Sequence, residues 1–127
     1  MIKKTAVFCI PVKNESSNLK NLFKTLENIT KSFKDHYIIF VESDSTDNSS
    51  ILIKEFLINK KGILLNKSIK NIKNRVARLA ISRNEYLKYI KENNKLVNFD
   101  FLIVLDCGGV NNSLNSNKLQ KSIFQNK

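Results

Sequence analysis

The sequence has few of the residues that crosslink a chain or mark its turns. Its 127 residues include two cysteines, three glycines, one proline and no tryptophan. Two cysteines without a metal-type spacing exclude a disulfide framework and a zinc cluster. No apolar run approaches the about 20 residues of a membrane-spanning helix, and the Walker, G-x-G-x-x-G and G-x-S-x-G motifs are absent. What remains is typical of one globular domain with a single core.

Acidic residues are also scarce, since 11 Asp and Glu stand against 22 Lys and Arg, for a formal net charge of +11. Nearly all of the positive charge is lysine, scattered through a chain rich in Asn and Ile rather than gathered into a basic stripe with interleaved aromatics. We therefore expect no nucleic-acid partner, and a basic α/β module that binds nucleic acid stays as the less favoured alternative. The positive field would still favour an anionic ligand such as a nucleoside diphosphate.

Both cysteines, Cys9 and Cys107, lie in or directly after apolar runs. Cysteines in such positions are typically buried free thiols, which persist in a reducing compartment. The apolar start of the chain is followed at once by Pro11, Lys13 and Asn14, without the small-residue cleavage site of a signal peptide. We therefore expect a cytoplasmic protein, with peripheral association with a membrane left open.

The apolar pattern alternates between two periods along the chain. Continuous apolar runs predict buried strands at residues 5–12, 37–41, 63–65 and 99–105. Apolar residues at helical spacing predict helices at about residues 16–34, at 76–90 and around 119–124. A further helix is predicted to begin at a cap within residues 45–47 and to end at residue 57. This βαβαβαβα order predicts the α/β class, as a Rossmann-like parallel sheet with helices on both faces, in a single domain of residues 1–127. Strands one, two and four should be adjacent.

Acidic loops follow two of the predicted strands directly. Residues 42–47 read Glu-Ser-Asp-Ser-Thr-Asp, and Asp106 is followed by Cys-Gly-Gly. In an open α/β sheet, ligands bind outside the carboxyl ends of the strands, where Glu42 could hold a ribose or a base edge. The alternative for Glu42 is a loop residue beside a capped helix start. Asp106 could hold Mg²⁺ together with phosphate oxygens and water, or it could be a simple exit from the strand.

Two further segments carry weaker signals. The turn of residues 11–15 leaves the first predicted strand. It could present Asn14 and backbone amides to a nucleotide base, or its Asn-Glu pair could simply cap the next helix. The only arginines of the chain are Arg75, Arg78 and Arg83, and all lie in one helix or its approach. Their guanidinium groups suit phosphate better than lysine does, yet at these spacings the three cannot all face one way. A solvated helix face is the alternative, above all for Arg78.

Taken together, four segments in this order resemble the N-terminal, nucleotide-sugar-binding part of a glycosyltransferase of the GT-A type. These segments are residues 10–15, 41–47, 78–84 and 105–111. The Glu-Ser form of the second and the Val-Asn that follows the last are most similar to the capsule-associated mannosyltransferase-like branch, and the family-two glycosyltransferases are similar over the same stretch. The resemblance implies an enzyme of polysaccharide biosynthesis with a GT-A fold.

The resemblance also implies roles for particular residues. Asp106 would lie at a divalent metal, Mn²⁺ or Mg²⁺, in place of the first carboxylate of the family's Asp-x-Asp motif. Gly108 stands where the second carboxylate would be, which puts metal affinity in question. Pro11 and Asn14 would line the base pocket, and Arg83 would lie near the diphosphate. The donor-binding residues implied are Pro11, Asn14, Glu42, Asp44, Arg83 and Asn84.

The implied partners are a nucleotide-diphosphate sugar donor and a glycan or lipid-linked acceptor. No catalytic residue is implied, because no Asp or Glu follows Asp106 in the sequence. We therefore expect the chain to be the N-terminal part of a longer enzyme and to transfer sugar poorly by itself. A non-catalytic nucleotide-binding remnant is the alternative.

Overall fold

A computed structural model describes residues 2–107 of the chain, in which strands and helices alternate. The strands are β1 (Ile2–Val12), β2 (Phe33–Glu42), β3 (Gly62–Asn66) and β4 (Phe101–Val104). The helices are α1 (Ser16–Thr30), α2 (Ser49–Leu57), α3 (Arg75–Lys91) and the short α4 (Asn94–Val97). Within the described part, none of the helices has the length and apolar character needed to cross a membrane. The predicted helix around residues 119–124 lies outside the described residues.

The four strands form one sheet in the order β3-β2-β1-β4. Each neighbouring pair is parallel, as the alternation of strand and helix predicts. The predicted adjacency of strands one, two and four is confirmed. Because the strands are parallel, their carboxyl ends and the loops that leave them share one edge of the sheet.

Both faces of the sheet are covered, so its central strands are apolar on both sides. Phe8 and Phe40 lie in a core with α1 and α2, where the Phe40 ring meets Phe56 edge to face at 6.2 Å. Val7 lies in a second core with α3, beside Tyr86. The residues of β1 therefore alternate between two buried faces, which explains why the strand shows a continuous apolar run rather than an alternating one. The predicted fold class is confirmed.

The boundary between α1 and β2 differs from the prediction. The helix ends at Thr30 and the strand begins at Phe33, although Phe33 fits the helical spacing. In the sheet, Phe33 pairs in register with Ile2 and packs edge to face on Phe8 at 5.6 Å. The polar residues that follow Phe33 conceal the amino half of β2 in the sequence, because the apolar run starts only at Tyr37.

The short helix α4 was not predicted. The Asn93 side chain begins it by accepting hydrogen bonds from the backbone N–H groups of Lys95 and Leu96. Leu96 is buried in the core on the α3 side of the sheet. A single turn with one buried residue is too short to produce a helical period, which is why the apolar pattern did not indicate it.

Candidate functional site

A pocket of about 260 Å³ opens at the carboxyl edge of the sheet. It lies where β1, β2 and β4 end and where the first two turns of α3 pass over them. That volume is slightly below the usual range for small-molecule sites. The residues that line it are Pro11, Val12, Lys13, Glu15, Ser43, Arg75, Arg78, Leu79, Ser82 and Asp106.

Asn14 joins the loop after β1 to the loop after β2. Its side-chain oxygen accepts hydrogen bonds from the backbone N–H of Thr46 at 2.7 Å and of Asp47 at 3.4 Å. Its own backbone N–H donates to the Ser45 hydroxyl at 2.9 Å. Asn14 has a φ of 51°, in the left-handed region that asparagine tolerates better than most residues. Asn14 therefore shapes the rim of the pocket by holding two loops together.

Glu42 is the last residue of β2 and is 7% exposed. Its carboxylate accepts a hydrogen bond from the backbone N–H of Ser45. Ser45 in turn accepts from Asn14, so the carboxylate lies at the root of the same loop network. Glu42 does not line the pocket, whereas its neighbour Ser43 does.

Asp44 connects the loop after β2 to the chain that leads into α3. Its carboxylate accepts a hydrogen bond of 2.7 Å from the backbone N–H of Ile69, which is the main cause that lowers the pKa of Asp44. With a φ of 55° it is, like Asn14, in the left-handed region. Such strained residues persist only where their surroundings fix them, and they concentrate at functional sites.

Asp47 binds the starts of two helices. One carboxylate oxygen accepts from the backbone N–H of Ser49 at 3.0 Å and the other from that of Ser16 at 3.1 Å. The prediction of an N-cap within residues 45–47 is wrong by one residue, since Asn48 holds that position without a side-chain bond. Hydrogen bonds, led by the Ser49 hydroxyl, lower the pKa of Asp47 to about 2.

Acid should therefore weaken the fold through Asp47. Because its pKa in the folded chain is about 2 against an ordinary 3.8, its contribution is complete above about pH 4 and is lost as the pH falls towards 2. Urea unfolding between pH 2 and 5 should give a shallower dependence of the unfolding free energy on pH in Asp47→Asn than in the wild type. Parallel curves for the two proteins would contradict this assignment.

The cationic side of the pocket comes from the start of α3. Asn74 caps this helix by accepting a hydrogen bond of 3.1 Å from the backbone N–H of Ala77. Arg75 and Arg78 follow at a spacing that puts them on one side of the helix, and both line the pocket. Arg83 does not line it and is exposed. Five residues after Arg78, it lies about 140° around the helix.

Asp106 also lines the pocket, two residues after the end of β4. The β1–β4 pairing continues to Leu105, whose backbone N–H donates to the Cys9 carbonyl at 3.0 Å, so the position of Asp106 is fixed by the sheet. The neighbouring Cys107 is buried. Burial, followed by the charges of Glu15 and Asp106, raises the pKa of the Cys107 thiol to about 12. Two carboxylates therefore lie close to this thiol, and both line the pocket.

These carboxylates suit a hard cation only in part. Over residues 2–107, no three His, Cys, Asp or Glu side chains are grouped as metal ligands. Mg²⁺ commonly takes one or two protein carboxylates and completes its shell with water and substrate phosphates. Asp106 and Glu15, which line the same pocket as several cationic side chains, fit that kind of site. The place of Gly108, where the second carboxylate of the motif was expected, lies outside the described residues.

The predicted site residues fall into three groups. Pro11 and Asp106 line the pocket; Asn14, Glu42 and Asp44 shape the loops around it; Arg83 and Asn84 lie on the exposed part of α3. Sequence reasoning gave no ligand role to four of the polar lining side chains, although all four stand inside the segments it singled out. These four are Lys13, Glu15, Ser43 and Ser82.

Comparison with known proteins agrees with this geometry. The family model described as glycosyl transferase family 2 matches residues 7–112. Among solved structures, S. aureus TarS residues 1–349 matches with a TM-score of 0.55 and 15% identity, over 95% of this chain and 31% of that one. At that identity the likeness shows the fold alone, and the chain spans about a third of the length of that solved chain. No curated protein sequence matches the chain.

The family model spans three of the segments that form the pocket: the end of β1, the loop after β2 and the loop after β4. It also includes all of α3, which carries the two arginines that line the pocket. The match covers most of the 127 residues, and the TarS likeness independently supports the GT-A fold. The chain therefore belongs to glycosyl transferase family 2.

Proposed function

We propose that this chain binds a nucleotide-diphosphate sugar as the donor-binding part of a glycosyltransferase. The observation that carries the proposal is the pocket at the carboxyl edge of the sheet, which is lined by Lys13, Arg75 and Arg78 together with Asp106. A cationic cluster and a carboxylate in one cleft suit a ligand that brings both phosphates and a metal ion. Family membership supports the same chemistry.

The phosphates would be held by the start of α3. Arg75 and Arg78 each offer a fork of N–H donors that matches phosphate geometry. The first turn of a helix adds backbone N–H groups and the positive end of the helix dipole. Lys13, from the loop after β1, would contribute a third positive charge. A diphosphate is thus favoured over a neutral ligand of the same size.

A divalent ion, Mg²⁺ or Mn²⁺, would be held by Asp106, with Glu15 in reach of the same pocket. When bound, such an ion neutralises the charge that develops on the leaving diphosphate. In transfer, the bond between the anomeric carbon of the sugar and the diphosphate oxygen breaks. A new bond forms to an acceptor hydroxyl, which gives up its proton. We assign no base for that proton.

The acceptor and the setting of the enzyme are further proposals. A glycan or a lipid-linked acceptor would bind to a part of a longer enzyme, of which this chain, as one domain of residues 1–127, supplies the donor side. The coverage of about a third of the solved TarS chain supports that division. Two buried free thiols support a cytoplasmic location, with peripheral attachment to a membrane.

Nucleoside diphosphates should raise the melting temperature of the chain in the presence of Mg²⁺ or Mn²⁺. A ligand at 100 times its Kd adds about 2.7 kcal/mol to the stability of the form that binds it. Asp106→Ala should remove the metal-dependent part of the shift and keep the rest. The measurement is a thermal-shift titration with UDP, GDP, CDP and ADP, with the metal alone and inorganic phosphate as controls. No shift with any nucleoside diphosphate at millimolar concentration would overturn the proposed function.

A further inference from the structure

Two buried hydroxyl groups at the pocket have no hydrogen-bond partner within the described part of the chain. Ser43 is 5% and Ser82 3% exposed, and neither hydroxyl bonds to any group among residues 2–107. The other buried hydroxyl residues behave differently. Thr30 donates to the Leu26 carbonyl at 2.7 Å, and Ser49 accepts from the backbone N–H of Glu15 at 3.0 Å. Buried polar groups are almost always paired, so two unpaired hydroxyls in one pocket require an explanation.

The position of the two serines supplies it. Ser43 follows the end of β2, Ser82 lies one turn after Arg78 in α3, and both line the pocket. A serine inside a helix usually satisfies its hydroxyl by bonding to the carbonyl four residues earlier, as Thr30 does in α1. Ser82 does not use this bond. Its hydroxyl and that of Ser43 thus remain available to a ligand in the pocket.

The chemistry of the two groups differs from that of the rest of the pocket. Lys13, Arg75 and Arg78 are cations, and Glu15 and Asp106 are anions. A serine hydroxyl is neutral and can either donate or accept a hydrogen bond. The cations bind phosphate groups better than a hydroxyl does, and the carboxylates bind a metal ion better. The hydroxyls are therefore suited to the uncharged polar groups of a ligand.

We propose that Ser43 and Ser82 bind the uncharged nucleoside part of the sugar donor, through hydrogen bonds to the base edge or the ribose. This inference rests on the proposed function and adds two residues that hold the nucleoside part of the donor. Because each hydroxyl can donate or accept, the pair does not by itself demand an N–H or a C=O from the nucleoside. The contact adds affinity for the nucleoside and leaves the contacts to the diphosphate unchanged.

Isothermal titration calorimetry of Ser43→Ala and Ser82→Ala tests the proposal. Each variant should bind a nucleoside diphosphate about 5- to 20-fold more weakly than the wild type, as expected for one lost hydrogen bond and an unpaired ligand group. Affinity for pyrophosphate, which has no nucleoside, should stay the same. Ribose 5-phosphate distinguishes the two sources, since its affinity falls only if the hydroxyls contact the ribose. Ser17→Ala, at an exposed position of α1, is the matched control for Ser82→Ala, since it also replaces a serine of a helix by alanine.

The melting temperature without ligand provides a second measurement. Since neither hydroxyl has a partner among residues 2–107, its removal should leave the melting temperature unchanged or raise it. A fall of several degrees in either variant would mean a structural role and overturn the inference. Equal losses for pyrophosphate and nucleoside diphosphate, or wild-type affinity for both, would also overturn it while the proposed function stands. Failure of the wild type to bind any nucleoside diphosphate would overturn both.

Discussion

Arg78→Ala should weaken the binding of a nucleoside diphosphate by roughly 10- to 100-fold, the equivalent of losing hydrogen bonds between charged groups. Arg78 is half-buried on the pocket-facing side of α3, where partial exclusion of water strengthens its attraction to phosphate. Arg75→Ala should have a smaller effect in the same direction, because Arg75 is exposed and its charge is better screened. The affinity is measured by calorimetry at fixed ionic strength.

Two further variants separate specific contacts from general charge. Lys54→Ala removes one positive charge from the exposed surface of α2, away from the pocket, and should leave the affinity unchanged at physiological salt. Arg83→Ala compares the two arginine assignments directly, since the family resemblance implies that Arg83 lies near the diphosphate while the pocket is lined by Arg75 and Arg78. A larger loss for Arg83→Ala than for Arg78→Ala would reverse our assignment.

Most of the fold could be predicted from the sequence because each strand of this sheet is covered on both faces. Such strands appear as continuous apolar runs, and the helices between them show a clear helical period. The sequence pattern did not predict the amino half of β2, because the polar residues Lys34, Asp35 and His36 stand there in place of an apolar run. The long-range pairing of Ile2 with Phe33, which no local pattern records, extends both strands there.

The sequence predicts where the candidate site lies better than it predicts which contacts its side chains make. Parallel strands bring their following loops to one edge, which is sufficient to join Pro11 and Asp106. The sequence does not reveal which way a loop carboxylate turns. Glu42 and Asp44 both bond to backbone N–H groups of nearby chain, and only the folded loop decides between that role and a ligand contact. Whether Arg78 lies on the pocket side of α3 likewise depends on the residue at which the helix begins.

Glu42→Ala should lower the unfolding free energy by about 1.5–3 kcal/mol, the usual effect of losing a hydrogen bond to a charged group in a buried place. The change leaves the Ser45 backbone N–H without its acceptor. The Ser45 hydroxyl accepts a hydrogen bond from the Asn14 backbone, and the Asn14 side chain accepts one from the Thr46 backbone. Loss of the Glu42 carboxylate therefore weakens the hydrogen bonding of both loops at the rim of the pocket. We expect donor binding to weaken as well, with or without metal, through the shape of these loops.

Urea unfolding and calorimetry of the same variants decide what Glu42 does. Glu42→Gln keeps a side-chain oxygen in the same place and should retain most of the stability, because that oxygen can still accept from Ser45. Glu27→Ala, at an exposed position of α1, controls for loss of a carboxylate and should change little. If Glu42→Ala lost donor affinity at wild-type stability, the carboxylate would contact the ligand itself, as the family resemblance implies. If stability and affinity fall together in Glu42→Ala and recover together in Glu42→Gln, Glu42 acts on the donor through Ser45 and Asn14.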